Sequence, residues 1–230
     1  MKAEVVADIR SVAERAAGII AEQARECFAV RRQFVMAVSG GSTVRAMLRM
    51  LGKEEVPWGG VYVVQGHERV GRTGNHDSNL PDIREALMED TPIDPSHIHP
   101  MPVGLPDLDA AAEQYARTLR VLCGNPPILD LVQLELFSTG RTAALIPGDP
   151  VLEIMDRDVA VTEVHEACKR MTLTYPVINR ARQILWMVTG REKIAVLAQL
   201  RDGDLAIPAS RVRRDQARLL SDRAAAGEPQ

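Results

Sequence analysis

Short apolar runs alternate with amphipathic ones along almost the whole chain, and that alternation restricts the fold more than any single motif. RQFVMAV (32–38), GVYVVQ (60–65), PILDLVQLEL (127–136), MTLTYP (171–176) and QILWMVTG (183–190) read as strands. Segments with helical spacing follow or separate them: VRAMLRML (44–51), DSNLPDIREALM (77–88), DLDAAAEQYARTLRVL (107–122), VINRAR (177–182) and REKIAVLAQL (191–200). Val5, Ile9, Val12, Ala16 and Ile19 recur at three and four residues, which predicts a first helix over roughly 3–27. TAALIP (142–147) opens like a short helix, and a last helix is expected after LAIPASRV (205–212). Asp107 is a plausible cap, and so is Ser78 or Asn79, with Pro81 near the first turn that follows. Strands alternating with helices imply an α/β fold with a largely parallel sheet covered on both faces.

The 230 residues, 46% of them hydrophobic, suffice for one large domain or two small ones. No repeat, low-complexity linker or compelling boundary divides them. A single domain over 1–222 with a frayed tail at 223–230 is expected. A net charge of −3 gives no sign of a nucleic-acid partner or an anionic membrane. No run approaches the roughly 18 apolar residues of a membrane span. Cys27, Cys123 and Cys168 are scattered, and the first twenty residues carry acids rather than an apolar leader, which fits a reduced cytoplasmic protein.

AVSGGSTVRAML is the clearest local signal. A strand runs into Ser39, Gly40, Gly41, Ser42 and Thr43, and a helix begins. Two glycines let backbone N–H groups approach a ligand, and the helix amino end adds partial positive charge, which together suit a phosphate. The bland reading is a tight turn with a Ser or Thr cap. GHER (66–69) ends the next strand, and adjacent strand ends share one crevice in a parallel sheet. Arg69 can pair with a phosphate, and His67 can act as acid or base or be an ordinary loop histidine. The remaining histidines, His76, His97, His99 and His165, show no metal-ligand spacing, so no metal is expected, and Asp77, Ser78 and Asn79 read as a helix cap rather than as ligands. The stretch LELFSTGRTAALIPGDP follows a strand, where open α/β proteins keep their catalysts, yet Ser138, Thr139, Gly140 and Arg141 include no base for neutral pH.

Taken in order, AVSGGST, GHER with HDSN, DLVQLELFSTGRTAALIPG, MTLTYPVINRAR, WMVTGREKIAVL and LAIPASRV resemble the 6-phosphogluconolactonase family, within the wider group of glucosamine-6-phosphate deaminase-like enzymes. The resemblance covers nearly the whole chain. It implies a single three-layer α/β/α domain with a mostly parallel, Rossmann-like sheet. It implies hydrolysis of 6-phospho-glucono-1,5-lactone to 6-phosphogluconate in the oxidative pentose phosphate pathway, with no metal or organic cofactor. By the same resemblance Ser39, Gly40, Gly41, Ser42 and Thr43 match the phosphate-holding loop. Arg69 matches the arginine of Gly-Asp-Glu-Arg, Asn79 ends the Asp-Ser-Asn element, and Arg180 or Arg182 lies in the Asn-x-x-Arg helix.

Six departures gather in one place. Arg141 stands where the family has the histidine that activates water, and Thr139 replaces the neighbouring Asp. Glu135 and Phe137 replace glycines, His67 replaces the Asp of Gly-Asp-Glu-Arg, and no lysine stands near His165 or Glu166. Three readings follow. The first is a lactonase in which His67 supplies the base and Arg141 holds the oxyanion. The second is a non-catalytic relative that binds a sugar phosphate or a protein partner. The third is altered chemistry with Arg141 and Glu135 as a specificity pair. The expected small-molecule ligand is a sugar phosphate, or under the third reading a different phosphorylated or carboxylated substrate, and the protein is a monomer or homodimer.

Overall fold

The computed structural model describes residues 1–71 and 78–229. His76 and Asp77, read above as non-ligand and as part of a cap, lie outside the described residues. In chain order the elements are β1 (Lys2–Val6), α1 (Ile9–Arg31), β2 (Phe34–Val38), α2 (Ser42–Leu51), β3 (Val61–Gln65), β4 (His67–Arg69), α3 (Asn79–Met88), β5 (Ile98–His99) and α4 (Leu108–Cys123). Then come β6 (Leu131–Glu135), β7 (Val159–Val161), β8 (Arg170–Leu173), α5 (Tyr175–Arg180), β9 (Gln183–Val188), α6 (Ile194–Asp202), β10 (Ala217–Asp222) and α7 (Arg223–Ala226).

Seven strands form one sheet in the order β1-β10-β9-β6-β2-β3-β5. Each neighbouring pair in it is parallel. A second, antiparallel sheet in the order β4-β8-β7 sits beside the carboxyl end of β3. The central strands read as unbroken apolar runs because both of their faces are buried. Along β2, Phe34, Met36 and Val38 join the core under α1, α2 and α3, while Val35 and Ala37 join the core under α4, α5 and α6. β9 divides in the same way, with Leu185 and Met187 on one side and Ile184, Trp186 and Val188 on the other. The layering is therefore α/β/α, as expected.

The ends of the chain depart from their periodicity. Asp8 accepts a hydrogen bond from Ser11 N at 2.7 Å and fixes the start of α1 there. Residues 2–6, expected as helix, form an edge strand paired with β10. The expected last helix is β10 itself, with Leu219 and Leu220 buried against opposite cores, a run too short to tell strand from helix by period. Residues 223–226, expected to fray, form the short helix α7, capped by Asp222 on Ala225 N and with Ala225 buried. TAALIP is no helix. Thr142 and Leu145 bridge each other, and Ala143 takes φ +47. No described helix is long and apolar enough to cross a membrane.

β2 leads outward to β3 and β5, and the chain then returns to β6 on the other flank of β2. The carboxyl ends of β2 and β6 thus form a topological switch point, where open parallel sheets bind ligands. Replacing buried Leu185 by Ala is expected to lower stability by about 2–5 kcal/mol. Replacing Val121, 86% exposed on α4, should change it by less than about 0.5 kcal/mol. Urea denaturation of the two variants measures both.

Candidate active site

The crevice is assembled around a buried carboxylate. Glu68, only 1% exposed, accepts hydrogen bonds from Gln65 Nε2 (2.7 Å), Arg69 N (2.8 Å), Ser78 Oγ (3.0 Å), Asn79 N (3.0 Å) and Leu80 N (3.1 Å). It does the capping expected of Ser78, whose side chain makes no cap bond to α3. Asn79 then reaches the other way. Its Nδ2 donates to His67 O at 3.1 Å, and its Oδ1 lies 1.7 Å from where a Cβ on Gly40 would sit, so a side chain at that position would displace Asn79.

The loop after β2 is held from below. Ser39 N donates to Gln133 Oε1 at 2.9 Å and Ser39 Oγ donates to Gln133 O, so Ser39 clamps β2 to β6. Gly41 takes φ +100 at the start of α2, and no side chain caps the helix there. The Ser or Thr cap of the bland reading is not formed, and among the described residues no side chain accepts from the first-turn N–H groups of α2. Ser42 is exposed and Thr43 half-buried beside them. A Cβ on Gly41 would meet the Glu135 carboxylate at 3.4 Å, so Glu135 reaches the loop from the end of β6. Burial pushes the Glu135 carboxyl up to about 7, against the opposing charges of Lys193 and Arg141.

Opposite the loop stand three arginines. The Arg141 guanidinium stacks on the Phe137 ring at 3.9 Å, with Glu166 Oε2 4.0 Å from its Nη1. Its buried Nε has no hydrogen-bond partner among the described residues, and burial, then Arg170, lowers its pKa. Arg170, 2% exposed, donates to His165 O at 3.0 Å and to Glu166 Oε2 at 2.6 Å. Arg69 Nη1 donates to Cys168 Sγ at 3.8 Å. His67 is buried among all three. Burial first, then Arg141, Arg170 and Arg69, push its imidazole down to about 3, and its Nδ1 has no partner among the described residues. A histidine held so far below neutral is uncharged at pH 7 and a weak acceptor for a proton from water. The physical setting of His67 therefore disfavours the base role expected for it. A concentration of buried positive charge suits an anion.

Arg141 also lines a cavity of about 390 Å³ with Thr139, Ile146, Pro147, His165 and Glu166. Arg180 and Arg182 do not reach this region. Arg180 pairs with Asp158, and Arg182 pairs with Asp130 at 3.2 Å, below the amino end of β6. His97 stacks on Tyr62 with ring centres 4.1 Å apart and bonds Val61 O, a structural role. Among the described residues no three His, Cys, Asp or Glu converge as a metal would need. Arg170, Lys193 and the contact between His165 and Asp149 escape sequence reasoning, since nothing in their spacing joins them to the loop.

Glu68→Ala is expected to lower stability by at least about 3 kcal/mol, because it leaves several buried donors unmet. For Glu135 the folded carboxyl lies above its ordinary 4.5, so rising pH destabilises the fold between about 4.5 and 7 as the unfolded chain ionises first. Glu135→Gln should flatten that decline in denaturation curves taken across this range.

A family model described as glucosamine-6-phosphate isomerases/6-phosphogluconolactonase matches residues 7–221. The 6-phosphogluconolactonase of Synechocystis sp. is 32% identical over 201 residues, covering 86% of this chain and 83% of its own. That of Nostoc sp. is 30% identical over 224 residues, covering 94% and 92%. The solved 6-phosphogluconolactonase of Trypanosoma brucei superposes with a TM-score of 0.85 at 25% identity, over 98% of this chain and 97% of that one.

Proposed function

The chain belongs to the glucosamine-6-phosphate isomerase/6-phosphogluconolactonase family, and from that premise we propose that it hydrolyses 6-phospho-glucono-1,5-lactone to 6-phosphogluconate. The observation that supports this reading most is a juxtaposition at the switch point. A helix amino end behind Gly41, uncapped among the described residues, faces a crevice that also holds three buried or half-buried arginines. A phosphate and a developing oxyanion need two separate positive regions of this kind.

In this reading the substrate phosphate sits on the N–H groups that open α2, with Gly40 and Gly41 allowing close approach. Asn79 keeps that loop in place through its contacts with Gly40 and His67. Arg141, braced by Phe137, stabilises the oxyanion that forms when water adds to the lactone carbonyl. Arg141 cannot be the base, since guanidinium stays protonated at neutral pH. The reaction belongs in the cytoplasm, within the oxidative pentose phosphate pathway.

Freshly generated lactone, coupled to 6-phosphogluconate dehydrogenase with spontaneous hydrolysis subtracted, is expected to show turnover above background. Arg141→Ala should lower kcat/KM by about 10²–10³. Thermal shift by 6-phosphogluconate separates the other outcome. A clear shift with no turnover identifies a sugar-phosphate binder without the chemistry, the alternative raised by the missing histidine.

A further inference from the structure

The cavity beside Arg141 contains a second histidine in a setting opposite to that of His67. His165 Nε2 lies 2.7 Å from Asp149 Oδ2. The Asp149 side chain is 1% exposed, and its oxygens already accept from Val151 N at 2.7 Å and Glu163 N at 2.9 Å. Two backbone donors fix the carboxylate and leave it one direction in which to accept from the ring. With Asp149 as acceptor, Nε2 carries the hydrogen and the lone pair falls on Nδ1. No described residue hydrogen-bonds Nδ1, and the ring, about a third exposed, lines the cavity with Arg141 and Thr139.

The backbone that presents this ring is held in an unusual shape. Glu166 and Ala167 take φ +51 and +64, which disfavours both residue types. The turn is closed by His165 N to Cys168 O at 2.9 Å and Cys168 N to His165 O at 3.1 Å, and Arg170 Nη1 grips His165 O. Several bonds thus hold a strained turn whose effect is to set His165 and Glu166 in the cavity wall.

We propose that His165, oriented by the buried Asp149, is the general base that activates water for attack on the carbonyl held at Arg141. This rests on the lactonase reading above. One water proton passes to His165 Nδ1 while the water oxygen bonds to the carbonyl carbon. The carbonyl oxygen becomes an oxyanion beside Arg141. Collapse of the adduct breaks the bond to the ring oxygen, which takes the proton back from His165 Nδ1. The carboxylic acid product then ionises to solvent. Asp149 is a positioning residue, and His165 is the catalytic one. Glu135 is excluded from the role by its place, because it lies against Gly41 and a bound phosphate dianion would hold its carboxyl protonated.

The test compares wild type, His165→Gln, His165→Ala and Asp149→Asn in the coupled lactonase assay from acid to mildly alkaline pH. The charged groups facing His165 are Asp149, Glu166, Arg141 and Arg170, with the Cys168 thiol beside them. His165→Gln should lower kcat by about 10²–10⁴ with KM within a few-fold, and abolish the fall in kcat on the acid side. Asp149→Asn should lower kcat less than His165→Gln, and added imidazole should restore part of the turnover of His165→Ala. An unchanged thermal shift by 6-phosphogluconate certifies that each variant is folded with its phosphate site intact. Wild-type kcat and pH profile in folded His165→Gln would overturn the proposal and leave the lactonase reading standing. Failure of imidazole rescue in a folded, inactive His165→Ala would also overturn it. Absence of turnover in wild type would remove both.

Discussion

Glu68 gathers hydrogen bonds from the end of β3, from the backbone of β4 and from the first turn of α3. A carboxylate with no water around it is tolerable only when donors surround it, and here a helix amino end supplies several of them. The bond set has a directional consequence. It turns β4 out of the parallel sheet and onto β8, so His67 faces Thr172 and Arg69 faces Arg170. Asn79, anchored through its own N–H to the same carboxylate, is thereby placed to pack on Gly40 and bond His67 O. The phosphate-type loop, the GHER strand and the arginines of the second sheet share one geometry because one buried anion connects them.

The positive side of the crevice carries the opposite electrostatic problem. Arg69, Arg141 and Arg170 all depress the His67 imidazole, and Arg141 is itself pushed down by Arg170. Like charges brought together under partial burial destabilise a fold unless something of opposite sign joins them. Glu166 meets part of the need, at 2.6 Å from Arg170 and 4.0 Å from Arg141, but its side chain is largely exposed. In the proposed reading an anionic substrate would bring further opposing charge to Arg141 and Arg170. His67 then fits as a neutral, polar filler among cations, where the aspartate of the resembled family would bear a charge.

The sequence made the centre of the sheet readable because β2, β3, β6 and β9 are buried on both faces and appear as continuous apolar runs. It misled at the edges. β1 carries the Val5 that fits a helical period, and only the Asp8 cap shows that the helix starts later. β10 offers a short apolar pair that either element accommodates. The loop glycines were legible, since close approach demands them. The dyad was not, because Asp149 and His165 lie 16 positions apart on irregular segments and meet only through tertiary folding. Glu68 stands in GHER without any local sign of its role, because a capping carboxylate is recognisable from sequence only when it sits beside the helix it caps.

The departures from the family pattern are coupled to one another in space. Phe137, where a glycine is usual, is the ring on which Arg141 stacks, so a larger residue at one position supports a longer one at the other. Glu135, where a second glycine is usual, is opposed electrostatically by Lys193 and by the same Arg141. His165, in the region where a lysine is usual, has a buried carboxylate bonded to its ring. Such mutual bracing fits the proposed reading, in which the pocket is formed around a cation where the resembled family has an imidazole. In the proposed reading proton transfer then comes from a different wall of the cavity, the one on which His165, bonded to Asp149, lines the space with Arg141.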